Sequence, residues 1–167
     1  LFPAGQLRIL PYNRLLKTLG DKQPEHLLAA LKQCCDVRED ADPHPAQPGR
    51  ISMYLDGRWY GLSWNPSAAS DAVEKLDVHF LQEGILHPLF QIDDPRRDPR
   101  LSFVGGGDSV ERMKAEVDAG RAAAAFSLYP TAIEQLMEVS DAERVMPPKS
   151  TWFAPKLRSG LFVHALV

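Results

Sequence analysis

Lys149, Ser150 and Thr151 stand directly behind two prolines in MPPKSTWFAPKLRSGL, residues 146–161. A lysine is a compact positive charge suited to a phosphoryl oxygen, and neighbouring hydroxyls donate to the same group. Pro147 and Pro148 have no N–H, so this lysine lacks the glycine-built backbone cradle of a P-loop. What the prolines supply is a stiff, extended support. Lys156 and Arg158 follow at distances that bring them to the same edge. The chemistry this pattern suits is the holding of an anion, a phosphate or a nucleotide. The plain alternative is that Lys149 pairs with a surface acid and Thr151 merely starts a strand.

A second candidate is Arg14, which follows Pro11, Tyr12 and Asn13 on a turn after a short apolar run. A guanidinium fixed there suits a bidentate clamp on an anion, or equally a salt bridge. Gly105-Gly106-Gly107 lies between an apolar run and a helix start, a place where anions bind. The Asp108 that follows would repel one, so a tight turn into a capped helix is the favoured reading. The five histidines (His26, His44, His79, His87, His164) show no metal-ligand spacing, and no nucleophile signature appears. No metal is expected, no cofactor is identified, and no residue is assigned a catalytic role.

Charge is unevenly placed in the 167-residue chain, whose net charge is −3. From Arg144 onward there are cations and no Asp or Glu. A positive segment on an acidic body suggests a compact anionic ligand and makes DNA binding by this chain alone a weak reading. Cys34 and Cys35 are adjacent and poorly placed to bridge each other, which fits a reducing, cytoplasmic setting. No apolar run reaches membrane-spanning length, and the start has no signal-peptide layout.

These candidates need elements to position them. Residues 7–10 read as a strand ended by Pro11, and Pro24 opens a helix with Leu27, Leu28 and Leu31 on one face. Residues 40–49, with three prolines and a glycine, read as a flexible loop. Residues 50–64 read as a hairpin turning at Asp56-Gly57, a type I′ signal. Residues 71–86 read as helical in two pieces, with Asp77 capping the second. Residues 101–104, a helix with an Asp108/Glu111 capping box, residues 122–129, and a helix with a Thr131/Glu134 capping box imply one parallel βαβ crossover. Residues 161–167 read as a closing strand. The fold class is α+β: a five- to six-stranded mixed sheet, a hairpin, one crossover and four to five helices in a single domain over residues 1–167.

Residues 146–161 resemble the closing signature of the bacterial and archaeal family called domain of unknown function 1015. Met146, Pro147, Lys149, Ser150, Thr151, Phe153, Pro155, Lys156, Gly160 and Leu161 all fit that pattern. LRILPYNRLL, with Leu10, Pro11 and Arg14, is similar to the family's early segment. Asn13 stands where the family usually carries histidine. Full-length relatives are longer and carry upstream an Asp-Gly-His-His-Arg-type box that resembles the ParB and sulfiredoxin phosphate-binding motif. This chain has no such box, so the resemblance implies the C-terminal half of such a protein.

Two functional expectations result. In the first, the chain contributes an anion half-site, built on Lys149, Ser150, Thr151, Lys156 and Arg14, to a phosphoryl-handling protein. In the second, it is a non-catalytic docking domain with Trp152 and Phe153 as anchors for an upstream domain or a second copy.

Overall fold

The computed structural model describes residues 8–155. Six strands form one sheet: β2 (Tyr12–Leu16), β3 (Asp36–Glu39), β4 (Arg50–Leu55), β5 (Arg58–Ser63), β6 (Leu101–Gly105) and β7 (Ala124–Leu128). Their order is β3-β5-β4-β7-β2-β6, and every neighbouring pair is antiparallel. β1 (Arg8–Leu10) and β8 (Trp152–Ala154) make a separate two-stranded antiparallel ribbon. The α+β class holds. Residues 161–167, expected as a strand, lie outside the described residues, as do Lys156 and Arg158.

Local chemistry explains several elements. Helix α1 (Pro24–Leu31) begins with its proline in the first turn and buries Leu27 and Leu31. The β4–β5 hairpin turns at Asp56 (φ 47°) and Gly57 (φ 76°), the pair of positive angles that a type I′ turn requires. Helix α4 (Ser109–Asp118) joins β6 to β7, which run in the same direction. β2 lies between these two strands and opposes both, so the crossover is present without a parallel hydrogen-bonded pair.

The helical stretch from 77 to 90 is continuous: α2 (Asp77–His79), a π-helical segment (Phe80–Leu86) and α3 (His87–Phe90). The second start expected at Asp77 is real, but Leu76 is the N-cap and Asp77 enters the first turn without capping it. Helix α5 (Ile133–Asp141) likewise begins one residue beyond the expected Thr131 cap. Ala132 precedes it, and the Gln135 side chain accepts from the Ala132 N–H at 3.0 Å. Asp108 precedes α4 but makes no capping hydrogen bond and pairs instead with Arg112.

The sheet is covered on both faces. Leu16, Met53 and Phe126 point into a large core with Leu27 and Leu31 of α1 and with Leu81 and Ile85. Leu15, Tyr54 and Ala125 meet Val110 and Met113 of α4 on the other face. β2 therefore runs buried from Asn13 to Leu16. Among the described residues no helix is long and apolar enough to cross a membrane.

Candidate functional site

Antiparallel pairing of β2 with β6 and β7 puts the start of β2 beside the ends of both other strands: Tyr12 faces Gly105, and Arg14 faces Phe103 and Phe126. The loops that follow β6 and β7, together with residues 146–151, gather at this edge. Asn13 and Arg14 are neighbours on one strand and point to opposite faces. Each meets a different part of the edge.

Asn13 is fully buried. Its Nδ2 donates to Ser109 Oγ at 2.9 Å, and its Oδ1 accepts from the Leu128 N–H at 2.9 Å. One amide thus ties the start of β2 to the end of β7 and to the first turn of α4. Both ends of the side chain are occupied, so the position serves to hold the edge together.

Arg14 turns to the large-core face and is 3% exposed. Its guanidinium donates to the carbonyl of Tyr12, to that of Lys149 at 3.1 Å and to that of Pro148 at 3.4 Å. It also lies over the Phe103 ring, with its central carbon 4.6 Å from the ring centroid. Burial pulls its pKa down to about 9, with Tyr12 opposing, so the group remains a cation at neutral pH. No carboxylate of the described residues pairs with it; neutral carbonyls and rings alone surround the charge.

Arg14 and Lys149 are therefore brought together, through the Lys149 backbone. Lys149 takes a left-handed conformation (φ 58°), and its side chain is exposed with Nζ 5.6 Å from the Tyr12 ring centroid. Ser150 is buried, and its hydroxyl donates to the Pro147 carbonyl at 2.5 Å. That hydroxyl serves the turn. The Ser150 carbonyl accepts from the Thr131 hydroxyl at 3.0 Å, which is why Thr131 does not cap α5. Thr151 is half-buried. Trp152 packs edge-to-face on Tyr12, centroids 5.2 Å apart, and covers Gly105 so closely that a Cβ there would overlap its ring. Phe153 is exposed on β8.

Two residues central to this edge had little signal in the sequence. Tyr12 contacts Phe103, Trp152, Arg14 and Lys149, and nothing but its place after Pro11 pointed to it. Asp77 showed only as a helix start. Its carboxylate accepts from the Gly49 N–H and from the Trp64 indole N–H, both at 2.8 Å, and burial pushes its pKa up to about 6 despite those two donors. Asp77, Tyr12, Tyr129, Thr131, Gln135 and Ser150 line one small enclosed cavity beneath the edge.

The arrangement sets one buried guanidinium and one exposed ammonium beside aromatic rings. Among the described residues no group of three His, Cys, Asp or Glu side chains gathers to hold a metal. The Cys35 thiol offers little nucleophilicity: burial, then the neighbouring Cys34, pushes it up to about 12.

With this geometry in place, the fold has clear relatives among solved structures. A free serine kinase in complex with AMP superimposes with a TM-score of 0.56 and 14% identity, over 90% of this chain and 55% of that one. A variant of that kinase in complex with ADP gives 0.54 with the same coverage. A conserved hypothetical protein from Pyrococcus furiosus gives 0.56 with 17% identity, over 92% of this chain and 58% of that one. At such identities the likeness is one of fold. The chain spans little more than half the length of each of these structures.

Residues 1–79 match the family described as "Protein of unknown function (DUF1015)". The matched part contains Leu10, Pro11, Asn13 and Arg14, and the 146–161 segment lies beyond it. No curated protein matches the sequence.

Proposed function

We propose that this chain supplies an anion half-site, for phosphate or a nucleotide, in a phosphoryl-handling protein. The observation that carries the reading is Arg14, a buried cation without a carboxylate partner among the described residues, holding the carbonyls of Pro148 and Lys149. That grip presents the Lys149 ammonium in the open beside Tyr12, with a second positive charge beneath it. Both charges favour an anion at the edge, and neither is neutralised by an ion pair among the described residues. Lys149 is the direct ligand in this reading. Arg14 and Ser150 act as positioning groups, because their described hydrogen bonds go to backbone carbonyls. Thr151 extends the same edge, and Lys156, outside the described residues, is proposed from the sequence alone as a further cation of the site.

The shared fold of the free serine kinase complexes with AMP and ADP supports the nucleotide version. This chain covers 55% of the kinase, so the reading places the other wall of the site on a domain outside it.

A second reading is favoured by Phe153, which is 36% exposed on the narrow β1–β8 ribbon. There the ribbon docks an upstream domain or a second copy through Phe153, while Trp152 stays packed on Tyr12 and Gly105.

Thermal unfolding with AMP, ADP and inorganic phosphate, on this chain and on Lys149→Ala, tests the first reading. A ligand at a hundredfold excess over its Kd stabilises by about 2.7 kcal/mol. A shift present in the parent and lost in the variant supports the half-site. A shift that the variant retains, or none in a longer protein that contains this chain, overturns it.

A further inference from the structure

Along the β3 side of the sheet, the 40–49 segment folds back over the β3-β5-β4 strands. Ala41 donates to the Trp59 carbonyl, and the Ser52 hydroxyl donates to the Asp42 carbonyl at 2.6 Å. The far end of the segment is held by Asp77, which receives the Gly49 N–H. Between this segment and the end of α1 runs an open groove of about 640 Å³.

The groove is lined by three cations, Lys32, Arg38 and Arg50, against one carboxylate, Asp36. Among the described residues none of the three cations is in an ion pair. That separates them from most of the surface: Arg58, Arg96, Arg97, Arg100, Arg112, Arg121 and Arg144 are each held by an acid. The register sets the spacing. Arg50 stands opposite Ser63, and Ser63 opposite Asp36; Arg38 stands opposite Gly61, two residues along the same face. Two guanidinium forks thus look onto one face from strands separated by β5. The Arg50 guanidinium donates to the Ser63 hydroxyl, which orients it.

The wall beside them is firm and carries donors. Trp64 stacks on Phe80, with centroids 4.7 Å apart and planes 5° from parallel, and its indole N–H is fixed on Asp77. Asn65 and Gln47 add amides to the lining. Forked donors at two points, a lysine between segments and neutral amides are the means by which proteins bind a compact multivalent oxyanion.

We infer that this groove is a second anion site, separate from the Lys149 edge, and that it takes a ligand bearing a phosphate ester or pyrophosphate. Arg38 and Arg50 clamp its oxygens from two sides, and Lys32 adds charge from the end of α1. The inference stands whether or not the Lys149 edge binds a nucleotide.

Pyrophosphate titration followed by NMR tests it, read at the Trp64 indole N–H and at the Arg38 and Arg50 side-chain N–H signals. Saturable movement of these signals is expected. Arg38→Gln combined with Arg50→Gln should weaken it about tenfold or more, the equivalent of one charge-assisted hydrogen bond. Lys149→Ala should leave it unchanged. Unmoved Trp64 and arginine signals overturn the inference, as does a response lost in Lys149→Ala. Malonate serves as the carboxylate control: tighter binding of malonate than of pyrophosphate overturns the phosphate assignment. Matching amide spectra of the parent and the double variant exclude misfolding as the cause of a loss.

Discussion

The Arg14 guanidinium donates to the Lys149 carbonyl at 3.1 Å, although the two residues are 135 positions apart in the chain. This bond joins a buried strand to an exposed, proline-stiffened turn. It makes the position of the Lys149 ammonium a consequence of the core.

Breaking that link should loosen the turn before it unfolds the domain. Arg14→Met leaves the carbonyls of Pro148 and Lys149 without their donor, at an expected cost of about 2–3 kcal/mol. Arg14→Lys should recover only part of it, since an ammonium lacks the second nitrogen that reaches the Tyr12 carbonyl and the planar face that lies over Phe103. Denaturant unfolding gives the stability change. Amide exchange at 149–152 should rise more than exchange in β4 and β7.

Gly105 has no side chain where Trp152 lies, so Gly105→Ala should push the indole off the edge and cost about 1–3 kcal/mol. A red shift in Trp152 emission is the direct readout, best seen with Trp59 and Trp64 replaced by phenylalanine. Adding Trp152→Leu to Gly105→Ala should relieve much of the clash. Independent, additive losses in the double variant would contradict this contact.

Asp77 sets a pH dependence whose sign can be worked out. Its folded pKa, about 6, lies above the ordinary value of 3.8. The folded state therefore holds this proton more tightly than the unfolded chain does. The corresponding stability is fully present below pH 3.8 and is lost as pH rises through about 6. Asp77→Asn keeps an acceptor for Gly49 and Trp64 and removes the ionisation. Relative to the parent it should gain stability between pH 4 and pH 7, by up to about 3 kcal/mol. Asp77→Ala removes the acceptor and should lose about 2 kcal/mol even at low pH.

Asn13 satisfies two buried partners with one amide. Asn13→Ala should cost about 2–3 kcal/mol, with faster exchange of the Leu128 amide as the local sign. If that amide stays protected while stability falls, the loss arises elsewhere in the core.

Much of the architecture was legible because it is local. The leucine spacing of α1, with Pro24 in its first turn, and the Asp56-Gly57 turn each depend on residues a few positions apart. Capping was less legible. Thr131 has the right neighbours for a cap, yet its hydroxyl goes to Ser150, and Asp77 turns away from its helix to hold Gly49 and Trp64. A side-chain oxygen near a helix start has both local and distant donors or acceptors, and only packing decides which it meets.

The sequence by itself determined the kinds of elements, the α+β class and an acid-free cationic segment stiffened by prolines. Those follow from periodicity, backbone restriction and composition. Tertiary structure alone decided that β2 enters between β6 and β7, that Tyr12 becomes the meeting point of Arg14, Lys149, Phe103 and Trp152, and that Arg14 faces carbonyls. It also placed Arg38 and Arg50 over one groove. The reason is physical: strand register and a crossover bring together side chains more than a hundred residues apart, and their pairing is chosen by burial of the whole sheet.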